Sequence, residues 1–275
     1  YNRLKLNGDR VVAGDFSNYD GTLHPKILWA VYDIIDEFYD KYEHASEEDK
    51  NVRECLWHNI VNSYHLCGNW FYQLNHSQPS GNPATAILNS MYNSIACRYT
   101  FYTIYDEHVD FNEYVSMIAY GDDNVLNISD RAAAFNQQSM AEAFKEIGMI
   151  YTDELKTGLL CDKTLEETAF LKRSFAFDKD LMYCFAPLHL PSILEAFNWI
   201  KKTDCEPEIM KQIADNALVE LSMHSPDIFH KYANKIRKAY LDAYNFHVHT
   251  LNYKTYRMKI ITGKIYNSHP TLDWA

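Results

Sequence analysis

Two acidic positions far apart in the chain invite reading as one site. Tyr120-Gly121-Asp122-Asp123 lies between the apolar runs 114–119 and 125–128, the pattern of a β-hairpin closed by a tight Gly-Asp turn. Adjacent carboxylates at such a tip repel each other unless a cation sits nearby, and hard divalent ions such as Mg²⁺ favour oxygen ligands of this kind. Taken alone, the turn is equally consistent with a surface hairpin that simply prefers Gly and Asp. Asp15 supplies a second half, because the strand-like run 10–16 carries it at its end. If that strand lies beside the hairpin in one antiparallel sheet, Asp15 and Asp122 converge. Two metal ions about 3.5–4 Å apart could then activate a 3′-hydroxyl and stabilise a departing pyrophosphate.

Other polar residues fit around that pair. Asp20 falls just past the strand, close enough to approach the sugar of a nucleotide, although an acid at a helix start is also favoured by the dipole. In Gln78-Pro79-Ser80-Gly81-Asn82-Pro83, the glycine lets the backbone approach a ligand closely. Thr85 and Asn89 share a helix face and could read a 2′-hydroxyl; a well-capped loop and helix would look the same. Lys156 offers an ammonium that could protonate a leaving pyrophosphate, or only a solvated surface charge. Lys172 and Arg173 could grip a phosphate backbone, but neighbours on a strand face opposite ways, so one of the two is expected to be structural. A zinc site from Cys55, His58, His65 and Cys67 matches no strong ligand spacing, and core packing is expected there instead. His247 and His249 are weaker still. The aromatic excess is expected in the core more than in a base-stacking platform.

These residues need elements to position them. The run 10–16 reads as a strand, 25–42 as an amphipathic helix, and Ser46 as the cap of a second helix. A strand over 68–74 and a helix over 83–104 precede the hairpin, and a helix over 132–147 ends at Gly148. Short strands near 149–151, 169–171 and 181–183 follow. Beyond Pro187 the pattern becomes helical, over 192–201, 207–223 and 226–244, with an irregular Tyr-rich end. The whole reads as an α+β antiparallel layer with helices on one side, followed by a helical cap.

The 275 residues suffice for one large or two modest domains. No apolar run approaches the roughly 18 residues that span a bilayer, and no signal pattern opens the chain. Six scattered cysteines suit reduced thiols better than a disulfide framework. The formal charge of −11 argues weakly against a nucleic-acid partner, since Lys231, Lys235, Arg237, Lys238, Lys254, Arg257, Lys259 and Lys264 gather near the end around a single acid, Asp242. Local basic surfaces can serve a polyanion in an acidic protein.

The ordered set Asp15-x₄-Asp20, Ser80-Gly81 with Thr85 and Asn89, Tyr120-Gly121-Asp122-Asp123, Lys156, and Phe170-Leu171-Lys172-Arg173 resembles motifs A to E of the RNA-dependent RNA polymerases of picorna-like positive-strand RNA viruses. Asn124 after the double Asp is similar to the insect and plant branches, such as iflaviruses, dicistroviruses and secoviruses. The motifs cover residues 10–175. The resemblance implies a right-hand fold with a palm over 1–185, a partial fingers insertion around 43–78, and an all-helical thumb over 186–275. It implies Asp15 and Asp122 as principal ligands of two Mg²⁺ or Mn²⁺ ions, with Asp123 assisting. Asp20 and Asn89, supported by Thr85, would select the ribose, and Ser80 and Gly81 would form a mobile loop near template and nucleotide. Lys156 would be the general acid, and Lys172 with Arg173 the primer grip. Implied partners are an RNA template and primer, NTPs, a protein primer and other replication proteins, in host cytoplasm at viral replication complexes. The family's upstream fingers, with motifs F and G, are not in this sequence, so the chain alone is expected to polymerise poorly. A reverse transcriptase shares the Tyr-x-Asp-Asp turn, but polar readers of a 2′-hydroxyl at Asp20 and Asn89 do not suit deoxynucleotides. A non-catalytic module binding RNA or a replication protein, and remotely a two-metal phosphohydrolase, are the other readings.

Overall fold

Val11, Val12 and Ala13 are buried at 2% exposure or less, as suits consecutive residues of a strand flanked on both edges and covered by other elements. In a computed structural model that describes residues 1–42, 44–154, 156, 158, 160–199, 206–245 and 247–264, they open the strand Val11–Ser17. This strand is central in a four-stranded sheet whose order is Val115–Tyr120, Asp123–Ile128, Val11–Ser17, Ile150–Asp153. Every pairing is antiparallel. The register sets Gly14 opposite Asn124 on one side and Asp153 on the other, and Asp15 opposite Thr152. Asp15 therefore lies inside the strand instead of ending it, because the ladder to Ile150–Asp153 continues to Ser17.

The chain divides into two compact units, Tyr1–Phe170 and Leu171–Ala275. In the first, helices Thr85–Tyr102 and Gln137–Glu146 pack against the sheet, and Pro25–Tyr42 packs on Thr85–Tyr102. The core they enclose is strongly aromatic: Phe16 lies 5.0 Å from Phe144 and 4.9 Å from Tyr151, ring centre to ring centre. Ser46 caps helix Glu47–Val61 in a reciprocal box with Asp49. The strand expected over 68–74 is a two-stranded hairpin, Tyr64–Cys67 with Trp70–Gln73, turning at Gly68, whose φ of 59° suits glycine. Its aromatic residues are exposed, with Trp70 at 79% and Phe71 at 71%, so the aromatic excess is not confined to the core. The helix expected over 132–147 is a 3₁₀ turn, Asp130–Ala132, followed by Gln137–Glu146, which Asn136 caps.

The second unit carries short strands as well as helices. Strands Ala176–Asp178 and Tyr183–Phe185 pair with each other and are sealed to the helices by Arg257. Its guanidinium lies 3.8 Å from the Phe185 ring centre and donates to Asp178 at 2.5 Å. Tyr183–Phe185 also replaces the strand expected near 181–183, since Met182 takes a left-handed turn conformation. Phe229, Ala233, Ile236 and Tyr240 form the buried stripe of Pro226–Tyr244, against Ala214, Ala217, Leu218 and Leu221 of Glu206–Leu221. The helix expected from 192 is a short one, Leu190–Glu195, running into the 3₁₀ turn Ala196–Asn198. Its expected end at Lys201, and Cys205, lie outside the described residues. The end of the chain is not wholly irregular, because Asn252 caps a helix Tyr253–Ile261. Among the described residues no helix is long and apolar enough to cross a membrane.

Candidate active site

The hairpin joining Val115–Tyr120 to Asp123–Ile128 turns through Gly121, whose φ of 63° only glycine adopts cheaply. Asp122 sits in the turn, and Asp123 opens the returning strand opposite Tyr120. Since that strand pairs with Val11–Ser17, the hairpin carboxylates and Asp15 meet at one end of the sheet. Burial, then the charges of Asp122 and Asp15, push the Asp123 carboxyl above the ordinary carboxylate range. Lys156 answers part of this negative charge. Its ammonium lies 2.9 Å from Asp15 Oδ2, and the bond to Asp15 raises its pKa, with Asp122 and Asp123 adding to the effect.

The loop bearing Lys156 is pinned by Asp153, a buried residue absent from the sequence reading. The Asp153 carbonyl accepts from the Lys156 amide at 2.9 Å, and its carboxylate accepts from the Gly158 amide at 2.8 Å. Asp153 faces Gly14 across the ladder, so the lysine loop is tied to the strand that carries Asp15.

Beside the carboxylates, the short helix Tyr19–Thr22 carries Asp20. Asn89 Nδ2 donates to Asp20 Oδ1 at 3.1 Å, and the Ser80 hydroxyl donates to Asp20 Oδ2. Asn89 Oδ1 is buried with no hydrogen-bond partner among the described residues, an orphaned acceptor that ordinarily calls for a ligand or water. Thr85 does not join this group. Its hydroxyl donates to the carbonyls of Asn82 at 2.6 Å and Pro79 at 3.0 Å, so it fixes the Ser80-Gly81 loop on which Ser80 depends. Gly81 has open space around it and an ordinary negative φ.

Ser90 and Asn93, missed from sequence, hold the turn from below. Ser90 Oγ accepts from the Gly121 amide at 2.8 Å, and Asn93 Nδ2 donates to the carbonyls of Gly121 at 3.1 Å and Asp122 at 2.8 Å. A signal existed: Thr85, Asn89 and Asn93 recur every fourth residue, a polar stripe along one face of the helix.

Lys172 and Arg173 separate, but not by strand alternation: Leu171 and Lys172 form a left-handed turn between the short strands Ala169–Phe170 and Arg173–Ser174, and only Arg173 lies in a strand. Arg173 makes a bidentate pair with Glu220, both bonds 2.8 Å, and donates to the Ala186 carbonyl. It is committed within the second unit and is not available as a phosphate grip, whereas Lys172 is exposed. Cys55, His58 and Cys67 are exposed, correcting the expectation that this cluster packs in the core.

An oxygen-only set of three carboxylates, where burial and then mutual repulsion raise the proton affinity of Asp123, suits a hard divalent cation. Among the described residues no three Asp, Glu, His or Cys side chains are grouped closely enough to hold an ion as they stand. Asp15 gives its Oδ2 to Lys156, and a rotation of these carboxylates would be part of any loading.

An antiparallel sheet with a Gly-Asp-Asp hairpin beside an Asp-bearing strand, backed by helices, defines the palm of a nucleotide polymerase. Residues 1–241 match the family of viral RNA-dependent RNA polymerases, and the chain belongs to that family. It is 39% identical over 256 residues to the replicase polyprotein of acute bee paralysis virus, covering 88% of this chain and 13% of the polyprotein. It is 37% identical to the replicase polyprotein of Drosophila C virus, covering 85% of the chain and 14% of that protein. Cowpea mosaic virus RNA1 polyprotein is 27% identical over 86% of the chain and 13% of its own length. The solved structure of a sicinivirus RNA-dependent RNA polymerase superposes with a TM-score of 0.73 at 18% identity, covering 92% of this chain and 51% of that one. The fold is thus the α+β fold of a viral RNA polymerase, of which this chain spans about half.

Proposed function

We propose that the chain is the catalytic palm and thumb portion of a viral replicase, with palm over 1–185, a partial fingers insertion around 43–78, and thumb over 186–275. The reaction is template-directed transfer of a nucleotide from an NTP to the 3′-hydroxyl of RNA. The observation that carries this reading is the convergence of Asp15, Asp122 and Asp123, felt as the raised proton affinity of Asp123. Asp15 and Asp122, with Asp123 assisting, are the residues that would hold two Mg²⁺ or Mn²⁺ ions. Bound there, such ions supply a more acidic 3′-hydroxyl and neutralise charge on the transferred phosphoryl group.

The remaining roles belong to the protein's own side chains. Asp20 is held in place by Asn89 and Ser80, and the orphaned Asn89 Oδ1 accepts a ribose hydroxyl. This arrangement rewards a 2′-OH and leaves buried polar groups unpaired against a deoxyribose. Thr85 keeps the Ser80-Gly81 loop in register for template and nucleotide. Lys156 remains protonated through its contact with Asp15 and, on leaving Asp15, gives its proton to pyrophosphate. Lys172 contacts the primer backbone. The partners are RNA template and primer, NTPs, a protein primer and other replication proteins, at replication complexes in host cytoplasm.

The test is primer extension by a polymerase that includes this chain. Asp122→Ala should abolish divalent-dependent incorporation while leaving the melting temperature near that of wild type, and full activity in that variant would refute the reading. Because the chain spans 51% of the solved polymerase it matches, the isolated 275 residues should extend a primer poorly. Robust extension by them would overturn that part.

A further inference from the structure

Adjacent carboxylates at a hairpin tip should splay the turn, since each gains by moving away from the other. The turn is nevertheless tied down by a chain of buried amides. Tyr151 donates its hydroxyl to Asn124 Oδ1 at 2.7 Å, and Asn124 Nδ2 donates to Asn93 Oδ1 at 3.2 Å. Asn93 Nδ2 then donates to the carbonyls of Gly121 and Asp122. All three residues are buried at 3% exposure or less. Burial also pushes the Tyr151 hydroxyl well above its ordinary pKa and the Cys97 thiol, 3.4 Å from Asn93 Oδ1, up to about 12. Both stay protonated, so every donor in the chain points one way, toward the turn.

The three residues of the relay come from three of the elements that carry the site. Tyr151 lies on the strand leading to Lys156, Asn124 follows the two hairpin aspartates, and Asn93 is one turn beyond Asn89 on the same helix face. Gly14, next to Asp15, lies against the Tyr151 ring so closely that a Cβ there would fall within 3.0 Å of it.

We propose that Asn93 is the positioning residue of the carboxylate turn, and that the relay Tyr151–Asn124–Asn93 fixes where Asp122 presents its side chain relative to Asp15. Asn93 touches neither RNA nor nucleotide. Its amide fixes two peptide carbonyls and so the backbone from which Asp122 projects. Buried polar networks of this kind are effective when every member is satisfied, and here each amide has partners for both ends. The proposal rests on the reading of Asp15 and Asp122 as a divalent-cation site.

The experiment is a Mn²⁺ titration of the 275-residue chain followed by electron paramagnetic resonance, which reports both affinity and the symmetry of the ion's surroundings, with thermal melting run alongside. Asn93→Ala should weaken Mn²⁺ binding about tenfold, the equivalent of one lost hydrogen bond of ~1.4 kcal/mol, and broaden the bound signal. Tyr151→Phe keeps the ring and removes only the first donor. It should fold even where Asn93→Ala does not, and should weaken binding about threefold with the same broadening. Asp122→Ala is the control. If it leaves Mn²⁺ binding unchanged, the cation-site reading itself is wrong. If Asp122→Ala abolishes binding while folded Asn93→Ala and Tyr151→Phe match wild type in affinity and line shape, the positioning role is overturned. A melting shift in those variants without a change in the resonance signal would likewise reduce Asn93 to a purely structural residue.

Discussion

Gly14→Ala adds one methyl group in the middle of the central strand, and the structure sets its cost. The new Cβ would fall within 3.0 Å of three atoms of Tyr151, Cζ, the hydroxyl oxygen and Cε2. Tyr151 has little freedom to withdraw, because it is 3% exposed and its ring centre lies 4.9 Å from those of both Phe16 and Phe144. Overpacking a tight core costs about 1–3 kcal/mol. Moving the ring also breaks its 2.7 Å bond to Asn124, and leaving that buried acceptor unpaired costs a further ~1–3 kcal/mol. The sum, about 2–6 kcal/mol, corresponds to a fall in melting temperature of roughly 4–24 °C for a unit of this size. The assay is thermal melting followed by circular dichroism, with a double-mutant cycle against Tyr151→Ala. Removing the ring is itself costly, but in its absence Gly14→Ala should cost under about 0.5 kcal/mol, so the two changes couple strongly. A Gly14→Ala protein melting within about 1 °C of wild type, or a cycle that is additive, would show that the ring does not close over Gly14.

Other outcomes follow from the same geometry. Asp123 has a folded pKa above its unfolded one, so its contribution favours folding only at low pH and is lost as pH rises through the folded value. Asp123→Asn should therefore raise the melting temperature at neutral pH by about 1–2 °C, and the gain should vanish below about pH 4, where the unfolded carboxyl is protonated too. Arg173→Ala should destabilise the second unit by about 1 kcal/mol, the worth of a bidentate but partly exposed ion pair, read as a lower urea midpoint. Lys172→Ala should leave that midpoint alone and weaken RNA binding with a shallower salt dependence. In a polymerase that includes this chain, Asn89→Ala should lower the preference for ribonucleotides over deoxyribonucleotides about tenfold, measured by competing incorporation.

Much of the site was legible in the sequence because its chemistry is local in type if not in place. Adjacent aspartates after a glycine mark a turn whatever surrounds them, and Val11 and Val12 mark a buried strand. The spacing of Thr85 and Asn89 fixes a helix face, and Ser46 with Asp49 announces a helix start, since capping needs only residues within one turn. Lys172 and Arg173 do divide their tasks, but a turn separates them where strand alternation was the expected cause.

What only tertiary structure decided is which partner each polar group meets. Nothing near Arg173 in sequence names Glu220, and nothing near Lys156 names Asp15; those pairings depend on folding that brings distant segments together. The spacing of Thr85 suggests a ribose contact, but its hydroxyl goes to the loop carbonyls next to it. Asn93 and Asp153 escaped notice because a buried amide or carboxylate has meaning only through the groups it satisfies. The exposed hairpin around Trp70 shows the converse, since apolar composition predicts burial only where a second surface exists to cover it. The sequence by itself determined the kinds of chemistry available and the elements that bear them. The register of Val11–Ser17 between its two neighbours decided that Asp15, Asp122, Asp123 and Lys156 meet at all, because a one-residue slip would turn Asp15 to the opposite face of the sheet.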